Sequence, residues 1–235
     1  MGSLSRSSTP EFSPLEVAED LAPLPEYKAA TTTALDFDGL LPEPLKLHED
    51  LKTGCGGQLW PAGMVLAKHM LRYHREKLEN ARILELGAGG GLVGLSVAKG
   101  CKINGPLYIT DQLEMYDLMQ HNIALNGLTD RVKGVLLNWG EPLSQEIVDF
   151  RPNVILAADC VYFEPAFPLL HKTLGDLFTL CPEATVYFCF KKRRRADMQF
   201  MAKAKKAFHV TEIEDDDRSI FSREKLFLYS FTSKR

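Results

Sequence analysis

The chain has 235 residues, 45% of them hydrophobic and 25% charged, the balance of an ordinary globular protein able to bury one sizeable core plus an extension. A formal net charge of -3 supplies no whole-molecule field for nucleic acid or an anionic membrane, so either would need a local patch. No apolar stretch approaches the roughly 18 residues of a membrane span, and the N-terminus lacks a charged-then-apolar signal.

Residues 1–27 are rich in Ser, Pro and acids and predict a flexible tail, because they offer too little apolar surface to order themselves. Residues 28–80 read as an N-terminal segment packing on a core. Leu35 and Phe37 alternate with acids, and LPEPLKLHEDL predicts a short strand or hairpin leading into the loop KTGCGGQLWPAG. Pro61 can start a helix, and MVLAKHMLRYHREKL sets Val65, Leu66, His69, Met70 and Tyr73 on one face. Residues 81–235 form the expected core, opening with ARILELGAGGGLVG. Ile83, Leu84 and Leu86 predict a buried strand, Gly87, Gly89, Gly90 and Gly91 with Ala88 a turn, and Leu92, Val93, Leu95 and Val97 a helix. Four glycines in five residues are costly to order, which favours a turn built for backbone contact with a ligand.

Strand and helix then alternate. PLYITD is a strand, LEMYDLMQHNIALNG a helix stopped at Asn126-Gly127, VKGVLLNWG a strand, VILAADCVY a buried strand, PAFPLLHKTLGDLF a helix and ATVYFCFKK a strand. ADMQFMAKAKKAF is helical, and HVTEIE and KLFLYSF are terminal strands around the acidic turn DDDRS. This order predicts an α/β fold of about seven strands, a Rossmann-like, mostly parallel sheet with an antiparallel C-terminal edge strand. Five cysteines (Cys55, Cys101, Cys160, Cys181 and Cys189) without a C-x-x-C pair point to reduced, mostly buried thiols. That suits a cytoplasmic protein, with the nucleus left open, and no metal site is expected.

A strand, glycine turn and helix followed by an acid closing the next strand, here Asp111, suits the ribose of either NAD or S-adenosylmethionine. Gly89, Gly91 and Gly94 spell G-x-G-x-x-G, but Glu85 precedes the first glycine by two residues. Its carboxylate would attract the ammonium of a methionine moiety and repel a pyrophosphate, which favours S-adenosylmethionine. Asp111 reads also as a helix cap. Trp139 offers adenine a flat face and Asn138 a base-edge partner, although Trp139 also suits a core position. Asp159 and Tyr162 leave a central strand at its carboxyl end, where open parallel sheets place ligands, and also suit a loop cap and a packed ring. Cys160 between them is expected to point elsewhere.

At GGQLWPAGMVLA, LNWG and VILAADCVYFEPAF the chain resembles the seven-strand, class I methyltransferases, and among them the eukaryotic lysine methyltransferases of methyltransferase family 16. The resemblance spans about Leu51 to the C-terminus. It implies that Trp60 helps wall the cofactor, a position it fills equally well as a core plug. Glu85, Gly87, Ala88, Gly89, Asp111, Asn138, Trp139 and Ala158 would bind S-adenosylmethionine, and the D-x-x-Y motif, Asp159 to Tyr162, would serve the acceptor. The catalytic assignment is Asp159 to hold or orient the incoming amine and Tyr162 to shape its slot. The implied activity is protein-lysine N-methylation by a monomer. The N-terminal stretch is similar to fungal members acting on translation elongation factor 1-alpha. A small-molecule methyltransferase, an NAD-dependent oxidoreductase and a cofactor-binding adaptor are the alternatives, and the absence of N-P-P-Y or D-P-P-Y argues against an adenine target. KKRRR, Lys191 to Arg195, reads either as a solvated loop or as a grip on an acidic protein surface. No aromatics interleave with it, so RNA is the weaker partner.

Overall fold

The computed structural model describes residues 30–50 and 57–234; the expected tail and Cys55 lie outside them. A hairpin of β1 (Thr31–Leu35) and β2 (Leu45–Glu49) pairs antiparallel, with Leu35 opposite Leu45. After α1 (Pro61–Tyr73) the core runs β3 (Ile83–Leu86), α2 (Leu92–Gly100), β4 (Leu107–Asp111), α3 (Leu113–Leu125), β5 (Val132–Leu136), α4 (Gln145–Phe150) and β6 (Val154–Ala158). It continues with α5 (Phe167–Leu180), β7 (Thr185–Lys191), α6 (Arg195–Ala207), β8 (His209–Glu212), α7 (Arg218–Phe221) and β9 (Leu226–Thr232).

The larger sheet has seven strands in the order β5-β4-β3-β6-β7-β9-β8. Pairings from β5 through β7 are parallel, and β9 runs antiparallel to both β7 and β8. The last strand is therefore antiparallel, as its short connection predicts, and sits one place in from the edge, which β8 forms. Two short helices, α4 and α7, stand within stretches expected as connections; Ser144 caps the first by accepting from Ile147 N–H.

The strands are apolar on both sides because both faces are covered. Ile83, Ile109, Leu156 and Cys189 pack with α1, α2, α3 and the hairpin, while Leu84, Leu86, Ile155, Val186 and Phe188 pack with α4, α5 and α6. On that second face Phe188 stacks on Phe200 and Phe231 at 5.8 and 5.0 Å. The buried stripe of α1 is Ala62, Leu66, His69 and Met70, with Tyr73 half-buried at its end. The acidic turn is latched to this helix, since His69 Nδ1 lies 2.7 Å from Asp215 Oδ2 and Lys68 and Arg72 reach Asp217. Cys101, Cys160, Cys181 and Cys189 are free and buried.

Strand β3 connects to β4 on one side and has β6 on the other, so the chain's direction of travel across the sheet reverses at its carboxyl end. An open α/β sheet leaves its binding crevice at such a point.

Candidate active site

That crevice is a cleft of about 580 Å³. Trp60, Glu85, Gly87, Ala88, Gly89, Asp111, Asn138, Trp139, Ala158, Asp159 and Tyr162 all line it. They converge because each stands at or just beyond the carboxyl end of β3, β4, β5 or β6, apart from Trp60, which precedes α1.

The glycine turn carries the β3–β4 ladder one step further, with Ala88 N–H donating to Thr110 C=O at 3.0 Å. Gly87 then turns the chain at φ 60°, and a Cβ there would stand 2.8 Å from Trp139 Cζ2 and 3.1 Å from Cys160 Sγ. Only glycine lets the indole lie this close to the backbone. Cys160 therefore forms part of the cleft wall instead of pointing away, its thiol donating to Leu86 C=O at 3.3 Å. Burial holds that thiol neutral, well above the ordinary cysteine range.

Asp111 closes β4 with Oδ2 accepting Gly89 N–H at 2.7 Å and Oδ1 accepting Gln112 N–H at 2.8 Å. It thus joins the glycine turn to the start of α3, and a carboxylate with two bonds made can still accept from vicinal hydroxyls. Asn138 Nδ2 donates to Glu141 Oε2 at 3.1 Å.

Glu85 departs from its expected disposition. It is only 2% exposed, and Oε2 accepts the Gly94 N–H at 2.8 Å inside the first turn of α2. Burial pushes its carboxyl up to about 8, against the lowering pull of the Gly94 and Val93 N–H groups. In the ligand-free chain burial thus favours the protonated form, and Oε2 is engaged by the start of α2. A carboxyl whose folded value lies above its unfolded one destabilises the fold as pH rises from about 4.5 to 8. Glu85→Gln removes that penalty. Melting curves of the ligand-free proteins are expected to show a gap in favour of the variant that widens from pH 5 to 8, by an amount on the order of a few kcal/mol. A constant gap would contradict the shift.

The largest departure concerns Asp159. It adopts φ 56°, a left-handed conformation that costs about 1 kcal/mol and recurs at functional turns. The carboxylate expected to meet an incoming amine is turned instead onto Arg193, with Nη1 to Oδ1 at 2.8 Å and Nη2 to Oδ2 at 2.6 Å. Tyr162 and Phe163 follow at the mouth, 45% and 56% exposed. Arg194 donates to the Tyr162 carbonyl. The basic run is thus partly drawn into the site. Because Ala158 of β6 sits opposite Cys189 of β7, residues just beyond the two strand ends are neighbours, and that parallel register is the signal that pairs Asp159 with Arg193.

A second feature missing from the sequence reading is Asn122 on α3, fully buried. Its Oδ1 accepts His48 N–H at 2.8 Å, and its Nδ2 donates to His48 C=O at 3.1 Å and Gly90 C=O at 2.9 Å. One amide thereby ties the hairpin to the glycine turn.

A strand-end glycine turn without room for side chains, a ribose-type acid on the next strand and an aromatic wall fit S-adenosylmethionine, and the fold is that of a class I methyltransferase that uses it. Residues 40–207 match the family model described as lysine methyltransferase, and the chain belongs to that family. It is 37% identical to Saccharomyces cerevisiae protein-lysine N-methyltransferase EFM6 over 227 residues, covering 86% of this chain and 91% of that protein. Danio rerio protein N-lysine methyltransferase METTL21A is 31% identical, over 74% of this chain and 78% of its own. Mus musculus EEF1A lysine methyltransferase 3 is 30% identical, over 71% and 69%. Among solved structures, Streptococcus pneumoniae Sp1610 in complex with S-adenosyl-L-methionine shares the fold with a TM-score of 0.50 at 12% identity, over 75% of this chain and 73% of that one.

Proposed function

We propose that this enzyme methylates the ε-amine of a lysine presented by a folded protein, with translation elongation factor 1-alpha as the target and the cytoplasm as the setting. The observation that carries the reading is the mouth of the cleft. Tyr162 and Phe163, on the loop after β6, line the cleft while standing half exposed, so two aromatic side chains border it where it meets the surface, which supports an acceptor presented by a macromolecule. A long aliphatic side chain with a polar end suits such an entrance, and the mouse relative's name supports this target.

When bound, S-adenosylmethionine supplies an electrophilic methyl group. The backbone of Gly87, Ala88 and Gly89 would hold its methionine end, Asp111 its ribose, and Asn138 with Trp139 its adenine, while Ala158 leaves room for close approach and Trp60 walls the far side. The chain's own task is alignment and exclusion of water, which can remove much of a displacement barrier. A lysine ammonium, with an ordinary pKa of about 10.4, has no lone pair to attack with, and entry into a largely apolar slot favours its neutral form. Its proton leaves to water through the open mouth. Tyr162 sets the direction of approach.

The test incubates purified protein with methyl-labelled S-adenosylmethionine and elongation factor 1-alpha isolated from cells lacking this enzyme. Label on one lysine, located by mass spectrometry and absent with Gly87→Arg, whose cofactor site is blocked, is the expected result. An unlabelled factor beside another labelled protein in whole lysate would move the target elsewhere and keep the chemistry.

A further inference from the structure

The carboxylate of Asp159 has little capacity left for a substrate. Its side chain is 4% exposed, and besides the fork from Arg193 it accepts Lys191 N–H on Oδ1 at 3.2 Å. Three of its roughly four acceptor positions are taken. Arg193 is itself held from behind, because buried Asp197 of α6 accepts the N–H groups of Arg193 and Arg194 at 2.7 and 2.8 Å. The same guanidinium lies with Cζ 5.3 Å from the ring centre of Trp60, so one side chain touches both the acceptor loop and the wall of the cleft.

We infer that Arg193 is a positioning residue of the acceptor slot, which neutralises Asp159 through a bidentate ion pair so that an entering lysine meets no uncompensated carboxylate, and which braces Trp60 against the cleft. The inference deepens the lysine-methylation reading and rests on it. The need for such a residue follows from the chemistry. The bond to be made uses the amine lone pair, the carbon–sulfur bond breaks toward sulfur, and the amine proton must already have gone to solvent. A free carboxylate beside the slot would stabilise the ammonium and hold that proton in place. A guanidinium never deprotonates, so its pairing with Asp159 persists at every working pH.

The other charged or titratable groups around this pair do not replace it. Cys160 and Cys189 are kept neutral by burial, Asp111 is bound to backbone N–H groups, Glu85 faces the terminus of α2, and Asp197 lies behind Arg193, its Oδ2 accepting backbone N–H groups at the start of α6. Arg194 is directed to the Tyr162 carbonyl.

Two readouts decide the matter. The chain has two tryptophans, so Trp139→Phe leaves Trp60 as the lone tryptophan, excited beyond the absorption of the tyrosines. Acrylamide quenching in that background is expected to rise in Arg193→Gln and equally in Asp159→Asn, with no further rise in the double variant, as two residues acting as one unit require. Unchanged quenching in both overturns the bracing contact without reference to any substrate. The double variant, which removes both charges, guards against a single variant that fails to fold.

The second readout is the single-turnover rate against pH, with labelled S-adenosylmethionine and elongation factor 1-alpha. Arg193→Gln is expected to move the rising limb about one pH unit to the alkaline side, and the double variant to move it back. Arg193→Lys keeps the limb in place while lowering the rate. A limb that does not move in Arg193→Gln overturns the charge-pairing role. A wild-type enzyme that labels no elongation factor refutes the proposed target instead, and Arg193 then stands or falls by the quenching result.

Discussion

Gly87→Arg should abolish cofactor binding while leaving most of the fold intact, with the affinity for S-adenosylhomocysteine in titration calorimetry falling at least about 100-fold, some 3 kcal/mol. Two effects add. At φ 60° any side chain carries the left-handed penalty of roughly 1–2 kcal/mol. Its Cβ would also begin 2.8 Å from Trp139 and 3.1 Å from Cys160, so the indole must be displaced before the rest of the arginine is accommodated. The remaining atoms project into the cleft, where they occupy ligand volume and bring a cation toward the ligand's ammonium group. Gly87→Ala separates the terms, since it keeps the strain and the Trp139 contact but leaves the volume, and a loss of about tenfold is expected. Undiminished affinity in Gly87→Arg would show that the ligand does not approach this turn. The thermal midpoint serves as the control: the left-handed penalty lowers it by several degrees in Gly87→Ala and Gly87→Arg alike, and a far larger drop in Gly87→Arg would assign the lost affinity to unfolding.

The position of this turn was legible because two independent periodicities meet there. The apolar run of β3 stops at Leu86 and helical spacing resumes at Leu92, which leaves the glycines no role but connection or contact. The strand-end rule then gathers Asp111, Asn138, Trp139, Ala158, Asp159 and Tyr162 without any knowledge of distances. What those side chains do once gathered was less legible, because it depends on partners far away in sequence. Glu85 reads as a free anion until α2 is seen to fold back over it. Asp159 reads as an open acceptor until the β6–β7 register places Arg193 beside it, 34 positions downstream. The basic run illustrates the same limit, since five adjacent cations look equivalent in a string while two of them are consumed by Asp159 and the Tyr162 carbonyl. Helices α4 and α7 were missed for a simpler reason: at six and four residues they are too short to show a period.

Asn122→Ala is expected to be the most destabilising single change on the cofactor side of the molecule. Asparagine is a poor helix former, so Asn122 inside α3 has no explanation in helix propensity, and one turn later Asn126 caps the same helix. The explanation is that the two amides imitate the edge of a strand. Asn122 exchanges both amide bonds with the backbone of His48, and Asn126 does the same with Lys46, accepting its N–H at 2.9 Å and donating to its C=O at 2.7 Å. Residues two apart in β2 thus face residues four apart at the end and C-cap of α3. Strand β2 gains a second set of partners beside those from β1, and its Leu47, His48 and Glu49 are held as a wall of the cleft. Removing the Asn122 amide loses three hydrogen bonds in a buried setting, a cost of about 3–4 kcal/mol, which in a domain of this size lowers the melting midpoint by roughly 8–15 °C. Asn126→Ala, at a more exposed position, should cost less than half as much. Because Asn122 also holds Gly90, the first variant should weaken S-adenosylhomocysteine binding as well, by about tenfold, whereas the second should not. Equal melting points for the two variants would mean that the hairpin is carried by its apolar face alone, with Leu45 and Leu47 in the core sufficient to seat it.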